Sequence, residues 1–308
     1  MSKLDIETLI SQYGDILNSF FHHMSDMFFL MSVEEAESGL QFRYIMMNPA
    51  AMYAACLTEE DYGKRIDDVY PPVKAATLND MYRKAVQCGV PVHFTSEGAV
   101  IGESILSPVY NKDGVCTHVF CVTRDITERK KLESKLEYMA YHDVLTGLPN
   151  RRLLYIHLQD ALSQAKASED FVAVLFLDCD RFKQINDTWG HNIGDLFLQT
   201  LATRLLSCVR EGDTVARLGG DEFVVILTAI QSPEQVVKVA NRILQAMQQP
   251  WTIAGKSFSC TTSIGISLYP TNASDADQLL TCADKALYTA KAVGRNQISF
   301  YQPEDHPD

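Results

Sequence analysis

Apolar positions along this chain change period several times, and each change marks an element. From Leu4 to Phe21 the apolar side chains include Ile6, Leu9, Ile10, Tyr13, Ile16, Leu17 and Phe20. Steps of three and four residues place them on one stripe of a helix. That stripe either packs on its own domain or pairs with a second copy, and the spacing alone does not choose. From His22 to Asp125 the texture becomes mixed and short. Phe42–Met47 predicts a strand, Asn48-Pro49 punctuates it, and Ala50–Cys56 begins a short helix. Asp67-Asp68 reads as loop, Tyr70-Pro71-Pro72 breaks the chain, and Ala75–Gln87 predicts a helix. Val90–Phe94, Gly98–Val109 and Gly114–Arg124 predict strands, the last two joined by a turn at Asn111-Lys112-Asp113-Gly114. Short helices followed by a three-strand meander predict a small antiparallel α+β domain.

Asp125–Tyr141 is dense in charge, with Leu132, Leu136 and Met139 at four- and three-residue steps. It predicts a solvated helix between domains, with a coiled-coil-like seam too short to define an oligomer. Asp125 or Thr127 suits its N-cap. Beyond Tyr141 helices and strands alternate. Phe171–Leu177 is a continuous apolar run, as in a strand buried on both faces. Asp195–Arg210 predicts a helix, and Thr214–Leu218 and Glu222–Leu227 predict strands meeting at Gly219-Gly220-Asp221. Pro233 precedes a helix over Glu234–Gln249; Phe258–Tyr269 predicts a strand and Ala276–Val293 a helix. The sequence carries no internal repeat, and its end from Gln302 to Asp308 is polar, acidic and expected to be loose.

A length of 308 residues fits two domains, and a hydrophobic fraction of 46% suffices for two cores. The net charge of −12 argues against nucleic acid or anionic membrane as a partner. A nucleotide is not excluded, because a local pocket and a metal ion can hold one in an acidic protein. No apolar run approaches the roughly 18 residues of a membrane span, and Met1–Glu7 lacks the features of a secretory signal. The expectation is a cytoplasmic protein. Its eight cysteines have no CxxC or zinc-like spacing, so reduced thiols are expected.

The second half carries the candidate chemistry. Asp178 and Asp180 directly follow the apolar run, at the strand end where ligands collect in open α/β sheets. Hard carboxylate oxygens there suit Mg²⁺ with substrate phosphates. Asp221 and Glu222 follow a Gly-Gly turn that allows close approach of a ligand, and both sets of acids can converge. Lys291 and Arg295 lie one turn apart if the last helix continues that far, and suit phosphate oxygens. Each feature alone is common: Gly-Gly-Asp is usually a plain turn, and a Lys/Arg pair usually complements a helix end.

Their combination is specific. Arg217–Phe223, RLGGDEF, resembles the signature of the GGDEF family of diguanylate cyclases. DVLTGLPNR at 143–151, DCDRFKQINDTWGHNIGD at 178–195 and ADKALYTAKAVGRN at 283–296 are similar to the family's other motifs, in order. The resemblance implies an enzyme that condenses two GTP into cyclic di-GMP, with Mg²⁺, or Mn²⁺ in its place, as cofactor. It implies that Asp178 and Asp221 bind the metal with the Cys179 carbonyl, and that Asn186 and Asp195 bind guanine. Phe182 and Lys183 would meet phosphates, partly through backbone N–H groups. Lys291 and Arg295 would hold the triphosphate, and Gly219 and Gly220 would lie against the nucleotide. Glu222 would bind metal or activate the 3′-hydroxyl. Each domain would hold one GTP, so the working unit would be a homodimer. Arg210-Glu211-Gly212-Asp213 resembles the family's RxxD inhibitory motif, which implies product binding at Arg210 and Asp213; a surface turn would look the same in isolation. Asp195, where makers of mixed cyclic dinucleotides tend to carry Ser, favours guanine at both sites.

The first half resembles the PAS sensor family through Asn48-Pro49-Ala50-Ala51, the meander at Gly114–Phe120 and the junction Asp125-Ile126-Thr127 running into ERKKLE. The resemblance implies an α+β antiparallel sensor over 22–125 between an amphipathic helix over 1–21 and a linker helix over 126–141. A nucleotidyl-cyclase-like α/β domain with a central mixed sheet would fill 142–302, before an acidic tail at 303–308. The sensed ligand is unreadable: no flavin-type cysteine motif or haem-type histidine appears, and His93 and His118 read as ordinary strand residues. Cys116 and Cys121 are an odd number of residues apart and would face opposite sides of a regular strand. Two other readings compete: a GGDEF domain that binds nucleotide without turnover, and a phosphodiesterase. The first is disfavoured because the acids, glycines and cations are all present; the second because no further catalytic domain follows Tyr301.

Overall fold

The computed structural model describes the backbone of residues 6–36, 39–98 and 100–303, and side chains from residue 13 onward within them. The predicted stripe positions Ile6, Leu9 and Ile10, and the tail from 304, lie outside the described side chains. Contacts divide the chain into two units, Met1–Ser134 and Lys135–Asp308.

The first unit contains α1 (Ile6–His23), β1 (Met27–Ala36), β2 (Gly39–Met47) and α2 (Pro49–Ala55). A 3-10 turn at Glu59–Asp61 follows, then α3 (Ile66–Val69), α4 (Pro72–Cys88), β3 (Val92–Glu97), β4 (Ile101–Tyr110) and β5 (Cys116–Asp125). The strands form one antiparallel sheet in the order β2-β1-β5-β4-β3. One face packs on α2 and α4 through Met31, Phe42, Ala51, Tyr82, Leu106 and Val119. Asn48 does more than punctuate. Its Oδ1 accepts from the N–H groups of Ala51 at 2.9 Å and Phe28 at 3.0 Å, and its Nδ2 donates to the Asp26 carbonyl at 2.8 Å. One buried side chain thus caps α2 and ties it to β1.

Two sequence expectations change here. Strand β1 was not predicted, because MFFLM is continuously apolar and hides the alternation in which Met27, Phe29, Met31 and Val33 face the core. Asp67 and Asp68 are helical in α3 rather than loop, with Asp68 Oδ2 accepting from the Arg65 N–H at 3.0 Å and Asn79 Nδ2 donating to Asp67 Oδ1 at 2.9 Å.

Helix α5 (Thr127–Tyr141) follows. Asp125 Oδ1 accepts from the Thr127 N–H at 2.8 Å, and Thr127 Oγ1 accepts from the Ile101 N–H at 2.8 Å. Leu132, Leu136 and Met139 are exposed along it.

The second unit continues with α6 (Arg151–Ser168), β6 (Phe171–Cys179), α7 (Phe182–Trp189), α8 (His191–Leu206), β7 (Thr214–Gly219) and β8 (Glu222–Ile230). It ends with α9 (Pro233–Gln248), β9 (Trp251–Ile253), β10 (Lys256–Phe258), β11 (Thr262–Tyr269), α10 (Ala276–Val293) and β12 (Ile298–Phe300). The main sheet runs β12-β11-β6-β8-β7, with β11 and β12 parallel and the other pairs antiparallel. It is therefore mixed. Central strand β6 is covered on both faces, which is why its sequence does not alternate. Ala173, Leu175 and Leu177 join the core of α8 and α9, while Val172, Val174 and Phe176 join that of α6 and α10. Helix α10 reaches the sheet at Gly265, where a Cβ would fall 2.1 Å from the Ala283 carbonyl oxygen. The predicted helix over Asp195–Arg210 begins earlier, at His191, and ends at Leu206. The predicted strand from Phe258 is divided, because β9 and β10 form a separate small hairpin.

Candidate active site

Strand β6 carries Asp178 near its carboxyl end, where it is the register partner of Glu222 on β8 and Ser263 on β11. Helix α10, held close at Gly265, brings Lys291 Nζ to 2.7 Å from Asp178 Oδ2. Asp221 sits in the tight turn between β7 and β8, where Gly220 adopts φ +53°. Burial pushes the Asp178 carboxyl up from its ordinary range, against the opposing pull of Lys291. Burial also pushes Asp221 up, and the nearby charge of Asp178 adds to it. Two partly buried acids, the second raised further by the charge of the first, call for a cation. Among the described residues no three His, Cys, Asp or Glu side chains close into a metal cage. Two carboxylates, with a main-chain carbonyl such as that of Cys179, would leave coordination positions to phosphates and water, the arrangement Mg²⁺ favours. Glu222 is exposed beside Asp221.

Asp180, a candidate ligand by spacing, is committed elsewhere. Its carboxylate accepts from Thr261 Oγ1 at 2.7 Å, Ser263 Oγ at 2.8 Å and the Asn296 N–H at 3.1 Å. It joins the metal-side loop to the segment after α10. That segment corrects a second expectation: α10 ends at Val293, and Arg295 lies beyond Gly294 at φ +64°, not one helical turn above Lys291. Arg295 instead lines a cleft of about 440 Å³ with Arg181, Gln184 and Trp189.

The loop after β6 turns into α7 at Arg181, which adopts φ +63°, so the first N–H groups of α7, from Phe182 and Lys183, lack intrahelical acceptors. The Phe182 ring stacks on Phe197, with centroids 5.8 Å apart, and Lys183 is exposed. Further along, Asn186 Oδ1 is buried without a hydrogen-bond partner. Helix α8 approaches it at Gly194, where a Cβ would lie 1.9 Å from that oxygen. Asp195, one residue on, is exposed.

The glycine turn is fixed from behind. Arg217, only 8% exposed, donates from Nε and Nη2 to the Gly220 carbonyl at 3.0 and 2.7 Å. Its Nη1 donates to Asp143 Oδ1 at 2.8 Å. Asp143 and Arg217 were legible only as motif letters; their pairing is a property of the fold. At the other end of the β7–β8 hairpin, the Arg210 N–H donates to Asp213 Oδ2 at 3.2 Å, and Arg210 Nη2 donates to the Thr228 carbonyl.

Fold and site together define an α/β domain with two carboxylates and a lysine gathered at one end of its sheet, preceded by a PAS-like sheet domain. The family profile described as "Diguanylate cyclase, GGDEF domain" matches residues 140–297, and the one described as "PAS fold" matches residues 36–131. The chain belongs to the GGDEF-domain diguanylate cyclase family. It is 44% identical over 173 residues to the diguanylate cyclase TpbB of Pseudomonas aeruginosa, covering 56% of this chain and 40% of that protein. The isolated GGDEF domain of that protein superposes with a TM-score of 0.51 at 42% identity, over 52% of this chain and 94% of that one. The coiled coil and GGDEF domain of DgcB from Caulobacter crescentus, solved with c-di-GMP, gives 0.50 at 27% identity, over 56% and 93%. Alignment with the first curated relatives covers 22% to 40% of their lengths.

Proposed function

We propose that this chain is a diguanylate cyclase that condenses two GTP into cyclic di-GMP. The observation that carries the reading is the meeting of Asp178 and Asp221 at one end of the sheet's strands with Lys291 Nζ 2.7 Å from Asp178 Oδ2. Asp178, Asp221 and the Cys179 carbonyl would hold Mg²⁺, or Mn²⁺ in its place; the ion supplies positive charge for the phosphates. Lys291 and Arg295 neutralise the triphosphate, and the N–H groups of Phe182 and Lys183 meet its oxygens. Asn186 offers its free acceptor to guanine, whose N1–H and N2–H are donors, and Asp195 offers a carboxylate to the same edge. Gly219 and Gly220 let the turn lie against the nucleotide, and Glu222 receives or directs the 3′-hydroxyl proton.

The 3′-oxygen of one GTP attacks the α-phosphorus of the other. The new P–O bond forms as the bond to the β-phosphate oxygen breaks, and the hydroxyl proton is lost. Two such steps close the ring and release two pyrophosphates. Positioning accounts for much of the acceleration. One site holds one GTP, so a homodimer brings two sites together, and the exposed seam of Leu132, Leu136 and Met139 on α5 supports that assembly. The region 22–125 is the input, 126–141 the linker and 142–302 the cyclase. Arg210 and Asp213 bind product and restrain the enzyme.

Incubation with GTP and Mg²⁺, with products separated by chromatography and weighed by mass spectrometry, tests this. Cyclic di-GMP and pyrophosphate are expected. Bound GTP without product, in a dimeric protein, would favour a binding module.

A further inference from the structure

In the first unit a cavity of about 140 Å³ lies between the inner face of the sheet and helices α2 and α4. Its walls carry five aromatic rings, from Phe29, Tyr44, Tyr70, Tyr82 and Phe94, with aliphatic and small residues between them. An apolar gap alone would be ordinary packing. The polar part of the lining is what calls for explanation. Inward positions of β4 and β5 normally carry aliphatic side chains. Here Ser104 and Thr123 face each other across the two strands, 2% and 6% exposed, with their hydroxyl oxygens 2.8 Å apart. Cys121 Sγ lies 3.4 Å from Thr123 Oγ1. Buried hydroxyls are costly unless their hydrogen bonds are made.

Two hydroxyls carry two protons, and their mutual bond uses one. The pair retains one donor and spare lone pairs, for which a thiol is a weak partner. Gly102 keeps this corner open, because a Cβ there would fall 2.6 Å from the Thr123 methyl. Charge is confined to the rim. Lys74 Nζ sits 4.0 Å from the centre of the Tyr70 ring, and Lys74 and Glu97, the charged residues of the lining, are both exposed. The deep part therefore suits a neutral molecule. Cavities near 150 Å³ accept benzene, so the fitting size is about six to eight non-hydrogen atoms.

We infer that this cavity binds an uncharged single-ring phenol, its ring among the aromatic walls and its hydroxyl bonded to the Ser104–Thr123 pair. Ring contacts of edge and offset type give such a ligand attraction beyond its area. The inference concerns binding alone and does not rest on the cyclase reading.

Calorimetry on the full chain compares phenol with toluene, which has the same size and lacks the hydroxyl. Saturable binding of one phenol per chain is expected, about tenfold tighter than toluene. The Ser104→Ala/Thr123→Val variant removes both partners together, a change that need not disturb folding. It should lose the phenol preference and bind toluene at least as tightly as phenol. Phenol titration of the unaltered chain should also move the methyl resonances of Met27 and Thr123, a readout independent of the variant. Absence of saturable phenol binding, unmoved methyl resonances, or a phenol preference that survives in the folded double variant would overturn the assignment.

Discussion

Arg217 Nη1 donates to Asp143 Oδ1 at 2.8 Å while the same guanidinium holds the Gly220 carbonyl with its other two contacts. The active-site turn is thereby tied to the loop that follows α5. That loop is tied in turn to the helix: Tyr138 Oη donates to the Gly147 carbonyl at 3.2 Å, and Asn150 Nδ2 donates to the Ala140 carbonyl at 3.1 Å. A continuous set of hydrogen bonds runs from the end of α5 to the turn bearing Asp221.

Arg217→Lys keeps the charge and loses the planar fork that serves two acceptors at once. Stability should fall by about 1–2 kcal/mol, within the range for charged hydrogen bonds. The kcat for GTP should fall about tenfold or more with little change in KM, because the turn is misplaced while the guanine contacts stay. Urea denaturation and initial rates check this; an unchanged kcat would show that the turn holds its place without the clamp.

Asp143 gives a pH test. Burial acts to raise its pKa, but the Thr146 hydroxyl and Arg217 outweigh burial and hold it below the ordinary carboxylate range. A depressed folded pKa contributes stability above the unfolded value, about 4, which is lost as pH falls through the folded one. Asp143→Asn should therefore lower the urea midpoint at neutral pH and flatten its fall on acidification below about pH 4. Parallel curves for the two proteins would contradict the pairing.

Asp221 has the opposite sign. Its carboxyl is raised by burial and then by Asp178, so its ionised form costs stability above the unfolded pKa. Asp221→Asn should be at least as stable as the parent at pH 7 without metal. It should lose about a hundredfold or more of turnover and any rise in Tm with added Mg²⁺. Thermal melts with and without Mg²⁺, beside a product assay, separate these effects; near-native turnover would remove the metal role.

The contrast between these sites explains what was legible in the sequence. Asp178, Asp221 and Lys291 sit at ends of elements whose apolar patterns are strong, so spacing sufficed to suggest a site. The Lys291–Asp178 contact was not legible, since it depends on how closely α10 rides over Gly265. Asp180 and Asp178 are two residues apart and alike in sequence, yet one is saturated by Thr261, Ser263 and Asn296. Only packing separates them. Strand β1 was missed because Phe28 and Leu30 hide the alternation of its core-facing Met27, Phe29, Met31 and Val33, and the β9–β10 hairpin because three-residue strands have no period.

Gly194 tests the guanine reading without touching a charged group. A Cβ at this position would lie 1.9 Å from Asn186 Oδ1 and 3.0 Å from its Cγ, so Gly194→Ala must turn the amide aside. The amide oxygen has no protein partner to lose, so the folding cost is confined to local overpacking, about 1–3 kcal/mol. KM for GTP should rise about tenfold, with a smaller change in kcat. If KM stays fixed in a folded variant, Asn186 does not read the base.

Arg210 and Asp213 are adjacent in the proposed inhibitory site but unequal in structure. Asp213 is buried and accepts from the Thr228 N–H at 3.2 Å, so its loss would disturb the β7–β8 hairpin and confuse any kinetic result. The Arg210 side chain is 58% exposed, and its Nε lies 3.6 Å from Asp213 Oδ1. An ion pair this open adds little to stability. Arg210→Ala, which gives up this open pair and the Nη2 bond to the Thr228 carbonyl but keeps the Asp213 bond to the Thr228 N–H, is therefore the less disruptive variant. It sits at the far end of the hairpin from Gly219-Gly220, so the initial rate should stay within about twofold. On the proposed role, in which this guanidinium grips product phosphate, its loss should raise the cyclic di-GMP concentration for half-inhibition about tenfold or more. Progress curves with and without added product measure both quantities, and inhibition equal to that of the parent would place product control elsewhere in the molecule.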